Sequence, residues 1–178
     1  MGAVGIDGGG DTTGDGAMSP LDVQDMGLTA DASLVCTDLV RLGAVPTSGH
    51  RSVAGQARAM AVNVAKNRDW IGQTYRRGAY FQALVDQHPE WVTATRIGEG
   101  LYQDMTLHPE LVKGLSHHLM LPSPCFDLDP ESVNDGVRGQ IEAYQQEGVI
   151  TKVLWVEGGI RKTHIEVGHL PTIKVVEV

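Results

Sequence analysis

The sequence predicts an α+β fold in which a small antiparallel sheet is covered by helices and preceded by an extended N-terminal arm. Three observations lead there. Apolar residues recur at helical spacing through much of the first two thirds of the chain, and after Gly148 the period changes to two. The 178 residues, 42% of them apolar, suffice for one ordinary domain but not for two. Helices first and a hairpin last is the order expected when helices cover an antiparallel sheet.

The arm is assigned to residues 1–27 and the domain to residues 28–178. The first twenty residues, MGAVGIDGGGDTTGDGAMSP, carry too few apolar groups to offset the entropy of ordering. Asp7, Asp11 and Asp15 lack the alternate acidic positions and closing glutamate of a calcium loop, which leaves a flexible linker as the reading. Such an arm orders only against another surface. That predicts a protein assembly partner, with Val4 and Ile6 as the apolar anchors.

A first helix follows Thr29 or Asp31, either of which can cap it, with Val35, Leu39 and Leu42 on one face and an end near Gly43. A second follows Ser52, where Val53, Ala57, Met60, Ala61 and Val64 form a stripe, and Lys66, Arg68 and Asp69 are read as solvated. Between Tyr80 and Leu115 the pattern predicts shorter helical pieces broken at Pro89, Gly98, Gly100 and Pro109. Val137, Ile141 and Tyr144 mark a further helix stopped by Gly148. VITKVLWVEGGIRKTHIEV then reads as strand, Gly158–Gly159 turn and strand, and TIKVVEV as a last strand.

Composition excludes several functions. With 14 basic against 22 acidic residues the net charge is −8, which argues against nucleic acid as a partner. No apolar run approaches the roughly 20 residues of a membrane span, so no membrane partner is expected. Cys36 and Cys125 are far apart and suggest neither a disulfide framework nor a cysteine metal knuckle. The first basic residue is Arg41, which predicts synthesis in the cytoplasm without a signal peptide.

The stretch SHHLMLPSPCFDLDP, residues 116–130, crowds two of the chain's seven histidines against two aspartates. A metal site explains the crowding: His118 and His164 offer imidazoles and Asp127 a carboxylate, a ligand set common for catalytic zinc. The competing reading is that these histidines are ordinary surface or core residues.

SGHRSVAGQ at 48–56, SHHL at 116–119, SPCFDLDP at 123–130 and HIEV at 164–167 together resemble the zinc DD-peptidase superfamily. That group includes bacterial D-alanyl-D-alanine carboxypeptidases and phage endolysins that cut peptidoglycan stem peptides, among them L-alanyl-D-glutamate peptidases, and it shares a fold with the hedgehog signalling domain. The resemblance covers residues 45–168. It implies Zn2+ as cofactor, His118, Asp127 and His164 as metal ligands, Arg51 as a substrate-facing guanidinium, and Ser116 as a residue that orients the site. Gln56 is read as an anchor between loop and helix, His117 as a neighbour pointing away from the metal, and His50 as lining the cleft or exposed.

Two departures from the family pattern matter. An apparent two-residue insertion separates His118 from Asp127, and without a gap there Cys125 would take the ligand position; the alternation Ser123, Cys125, Asp127 favours Asp127. The family's general base precedes the last ligand by two or three residues, where this chain has Lys162 and Arg161. Glu157, at the hairpin turn, is the first candidate for that role, and Glu166, on the same strand face as His164, is the second. Both also suit ordinary strand-end charges. Two functions follow as expectations. One is a zinc metallopeptidase of peptidoglycan stem peptides, phage encoded and virion-associated. The other is a catalytically degenerate peptidase-like domain serving as a structural component of a virion or other large assembly.

Overall fold

The structure, a computed structural model, describes residues 22–169. The elements are α1 (Ala30–Arg41), β1 (Pro46–Ser48), α2 (Val53–Val64), α3 (Trp70–Thr74), α4 (Ala79–Gln87), α5 (Ala94–Leu107), α6 (Pro109–Val112), β2 (Cys125–Leu128), α7 (Asp135–Gln146), β3 (Ile150–Glu157) and β4 (Ile160–Val167). Three 3-10 turns lie at Asp22–Met26, His117–Leu119 and Pro130–Ser132. The architecture is α+β, with four strands in the order β1-β2-β4-β3, all pairs antiparallel. No helix among the described residues is long and apolar enough to cross a membrane.

Local chemistry sets the helix starts. Thr29 accepts from the Ala32 N–H to open α1, and Ser52 accepts from the Gly55 N–H to open α2. Thr93 caps α5 and Asn134 caps α7 in the same way. Gly158 and Gly159 both have positive φ, 51° and 77°, and close a two-residue hairpin in which Glu157 pairs with Ile160.

The sheet separates two apolar clusters. On one face Phe126, Leu128 and Ile165 pack with Val35, Leu39 and Ile141 of α1 and α7. The second cluster lies among the helices that follow β1, where Met60, Trp70, Phe81, Ile97 and Leu101 are buried together. The other sheet face looks toward this second group. Because side chains alternate along a strand, that face carries Cys125, Asp127, His164 and Glu166.

Several expectations are corrected. α5 runs unbroken through Gly98 and Gly100. Close approach explains both glycines: a Cβ at Gly98 would sit 3.4 Å from the Ala61 methyl, and one at Gly100 would come within 2.1 Å of the Trp91 ring. Pro89 and Pro109 do mark boundaries, since α4 ends at Gln87 and Pro109 begins α6. Arg68 is not simply solvated, because its guanidinium donates to the carbonyls of Val85, His88 and Trp91. Residues 22–27 belong to the fold and not to the arm: Val23 is fully buried, the Met26 carbonyl accepts from His50 N–H, and the Gly27 carbonyl accepts from Ser123 N–H. The arm's anchors Val4 and Ile6, and the strand expected in TIKVVEV, lie outside the described residues.

Candidate metal centre

Three structural elements meet at one point, two of them from the single stretch 116–130. His118 comes from the 3-10 turn after α6, Asp127 from β2 and His164 from β4, where Asp127 and His164 are direct cross-strand partners. All three are buried, at 2%, 5% and 7% exposure. Their facing atoms form a closed triangle. His118 Nε2 is 3.2 Å from Asp127 Oδ1 and 3.2 Å from His164 Nδ1, and His164 Nδ1 is 2.8 Å from Asp127 Oδ1.

Surrounding groups fix which atoms face inward. The Nδ1–H of His118 donates to the Gly49 carbonyl at 2.5 Å, which turns Nε2 toward the triangle. His164 Nε2 lies 3.4 Å from Glu166 Oε1, which leaves Nδ1 to face Asp127. Asp127 Oδ2 accepts from Ser48 Oγ at 2.7 Å and from Arg51 Nη2 at 2.5 Å, leaving Oδ1 for the triangle. Two lone-pair nitrogens and a carboxylate oxygen this close repel one another unless a proton or a cation sits between them. Donors around a tetrahedral metal at about 2.0–2.2 Å stand about 3.3–3.6 Å apart, so the triangle is slightly tighter than the required size.

His118, Cys125 and His164 also form a buried group whose ligand atoms lie within 4.8 Å of one another and which could hold a metal ion. Between the two possible third donors the carboxylate fits better. Asp127 Oδ1 stands 2.8 and 3.2 Å from the two imidazole nitrogens, whereas the Cys125 sulfur, whose thiol burial pushes up to about 12, sits 3.5 Å from Ser123 Oγ. Asp127 is already ionised. Burial works against its charge, but hydrogen bonds with His118 and His164 and the nearby Arg51 hold it well below the usual carboxylate range. Cys36 and Cys125 are both free.

The centre lies in a cleft of about 570 Å³, and every site residue predicted from the sequence lines it: Arg51, Ser116, His118, Asp127, Glu157, His164 and Glu166. Their surroundings differ from expectation in places. Arg51 reaches the cleft but is bound to Asp127 and Ser48. Ser116 caps the 3-10 turn, accepting from the His118 N–H at 3.3 Å, which orients His118. His117 does not point away, since its Nδ1 is 3.2 Å from Glu166 Oε2. Glu166 also receives Lys152 at 2.9 Å. The bond with His164 and then that with Lys152 lower Glu166 to about 2. Gln56 is fully buried and donates to the Tyr75 hydroxyl at 2.7 Å, and so serves a cleft wall. His50 packs against Gly27.

Glu157 stands apart from the other acids. No hydrogen bond or ion pair engages its carboxylate among the described residues, although its backbone carbonyl accepts from Trp70 Nε1 at 3.0 Å. Sequence reasoning missed Ser48, Tyr75 and Lys152. Ser48 had a signal, because it opens the SGHRS block whose Gly49 and Arg51 also hold the site. Tyr75 had none, since it lies in a stretch without apolar period. No family model, curated protein or solved structure matches the chain.

Proposed function

We propose that the protein is a zinc-dependent peptidase of bacterial peptidoglycan stem peptides, with His118, Asp127 and His164 holding the metal. The observation that carries the reading is the buried triangle of His118 Nε2, His164 Nδ1 and Asp127 Oδ1, with sides of 2.8 to 3.2 Å, lining a cleft of about 570 Å³. When bound, zinc supplies Lewis-acid polarisation of a scissile carbonyl and of an attacking water. Glu157 serves as the general base, because it is the cleft carboxylate left unengaged. Glu166 is unsuited to that task, being held near 2 by its partners, and instead orients His164 by accepting from Nε2–H. Arg51 and Ser48 hold Asp127 in place from the far side. Tyr75, which burial keeps protonated, offers a hydroxyl to the cleft wall. The substrate class rests on the resemblance carried by the four sequence blocks.

Elemental analysis of purified protein is expected to find about one zinc per chain, as a three-residue site with an open position holds. Glu157→Gln should retain the zinc and lower turnover of a stem peptide by roughly 10²-fold or more. Glu166→Gln is the comparison, and a dead Glu166→Gln beside a fully active Glu157→Gln would reverse the two roles. Failure to take up added zinc would remove the enzyme reading. Zinc at full occupancy with no cleavage of any stem peptide would leave the degenerate, structural reading.

A further inference from the structure

Five cationic side chains, Arg51, Arg76, Arg77, Lys152 and Lys162, line the cleft of a chain whose net charge is −8. Three of them are engaged: Arg51 by Asp127, Lys152 by Glu166 and Arg77 by the Lys113 carbonyl. The side chains of Arg76 and Lys162 have no hydrogen-bond or ion-pair partner among the described residues. Glu157, the cleft's unengaged carboxylate, pairs with neither. Lys162 is half-buried and lies two residues before His164 on β4, so it shares the face that carries His164 and Glu166. That spacing is about 7 Å along the strand. Arg76 comes from the link between α3 and α4. A half-buried ammonium without a counter-ion is costly, and an anion entering from outside relieves the cost.

We propose that Lys162, supported by Arg76, binds a carboxylate of the substrate about two residues from the bond that is cut. This rests on the peptidase reading of the same site. The distance follows from the strand: about 7 Å spans about two residues of an extended peptide. Two sources share this chemistry, the peptide's C-terminus and an acidic side chain.

The test measures binding of three labelled peptides of otherwise identical sequence to the full chain, with zinc and after chelation, by fluorescence anisotropy. One has a free C-terminus and neutral side chains, one is the neutral amide, and one is an amide carrying a single glutamate. At least one carboxylate peptide is expected to bind about tenfold or more tightly than the neutral amide; which of the two does so identifies the source. Lys162→Met should abolish the preference and leave the neutral peptide's affinity unchanged. Arg76→Gln, at an exposed position that cannot disturb the core, should reduce it in part. Lys162→Glu should invert it in favour of a lysine-bearing amide. Equal or absent binding of all three peptides by the unaltered chain, or a Lys162→Met change that weakens all three equally, would overturn the proposal. Preference without cleavage of any peptide would sink the peptidase reading alone, and cleavage without preference would sink this inference alone.

Discussion

Asp127 divides its two oxygens between two tasks. Oδ2 receives Ser48 and Arg51, while Oδ1 faces the imidazoles of His118 and His164. Removing a partner that orients a ligand typically lowers metal affinity 10- to 100-fold, so Ser48→Ala should weaken zinc binding by roughly that factor without touching a ligand. Competition titration against a chelator measures it, and an unchanged affinity would show that Arg51 alone suffices. His164 gives a pH signature. Burial opposes its charge, but hydrogen bonds with Asp127 and Glu166 raise it to about 9 from an ordinary value of 6.5. Stability contributed by the protonated ring is therefore complete below 6.5 and is lost as pH rises through about 9. Metal binding needs that proton removed, so zinc gains on the proton across the same window. Thermal melts in excess chelator should show Tm falling between pH 6.5 and 9, while the increment produced by zinc grows. A zinc increment that shrinks with rising pH would contradict the assignment of His164 as a ligand.

The β3–β4 hairpin is held at its turn by a helix. Trp70 of α3 donates to the Glu157 carbonyl at 3.0 Å, and Asn67 donates to the Gly158 carbonyl at 2.7 Å. A Cβ on Gly158 would lie 2.3 Å from the buried Trp70 ring, whereas one on Gly159 would meet open space. Both residues have positive φ, so each alanine carries a backbone strain of about 1–2 kcal/mol. Gly158→Ala adds a collision with the ring, which overpacking data put at about 1–3 kcal/mol more. Gly158→Ala should therefore lower Tm further than Gly159→Ala, and it should also lower turnover, because the displaced turn carries Glu157. Equal Tm losses in the two variants would mean that Trp70 does not clamp the turn. The same reasoning applies to α5, whose Gly98 and Gly100 let α2 and Trp91 approach it closely.

Across the whole molecule, the candidate metal centre joins the two apolar clusters. His118 belongs to the helical side, next to Leu115 and Leu119, while Asp127 and His164 belong to the sheet whose far face packs on α1 and α7. The N-terminal boundary of this unit can be tested by truncation. Val23 is the first described residue in the core, and the carbonyls of Met26 and Gly27 bind His50, within the SGHRS block, and Ser123, just before β2. Deleting residues 2–18 should leave Tm and zinc content unchanged while impairing any assembly that the arm mediates. Deleting residues 2–26 removes Val23 and the Met26 carbonyl, and should lower Tm by several degrees, as loss of a buried side chain worth about 1.5–3 kcal/mol implies. Equal stability of the two truncations would place the Asp22–Met26 turn outside the folding unit.

The sequence by itself determined the helix start at Ser52, the Gly158–Gly159 hairpin, the α+β class and seven of the residues that line the cleft, and it narrowed the first helix start to Thr29 or Asp31. These are local signals: a cap bonds three residues ahead, a turn needs positive φ at two positions, and a strand shows its faces by alternation. Tertiary structure alone decided how those residues divide their work. Whether Gly98 breaks a helix or admits Ala61, whether Arg51 meets substrate or grips Asp127, and which of Glu157 and Glu166 stays unengaged all depend on what another segment places opposite. Ser48 and Asp127 are 79 residues apart, and His118 and His164 are 46 apart. Contacts over such separations leave no periodic trace in a single chain, so they become visible only once the sheet register brings the segments together.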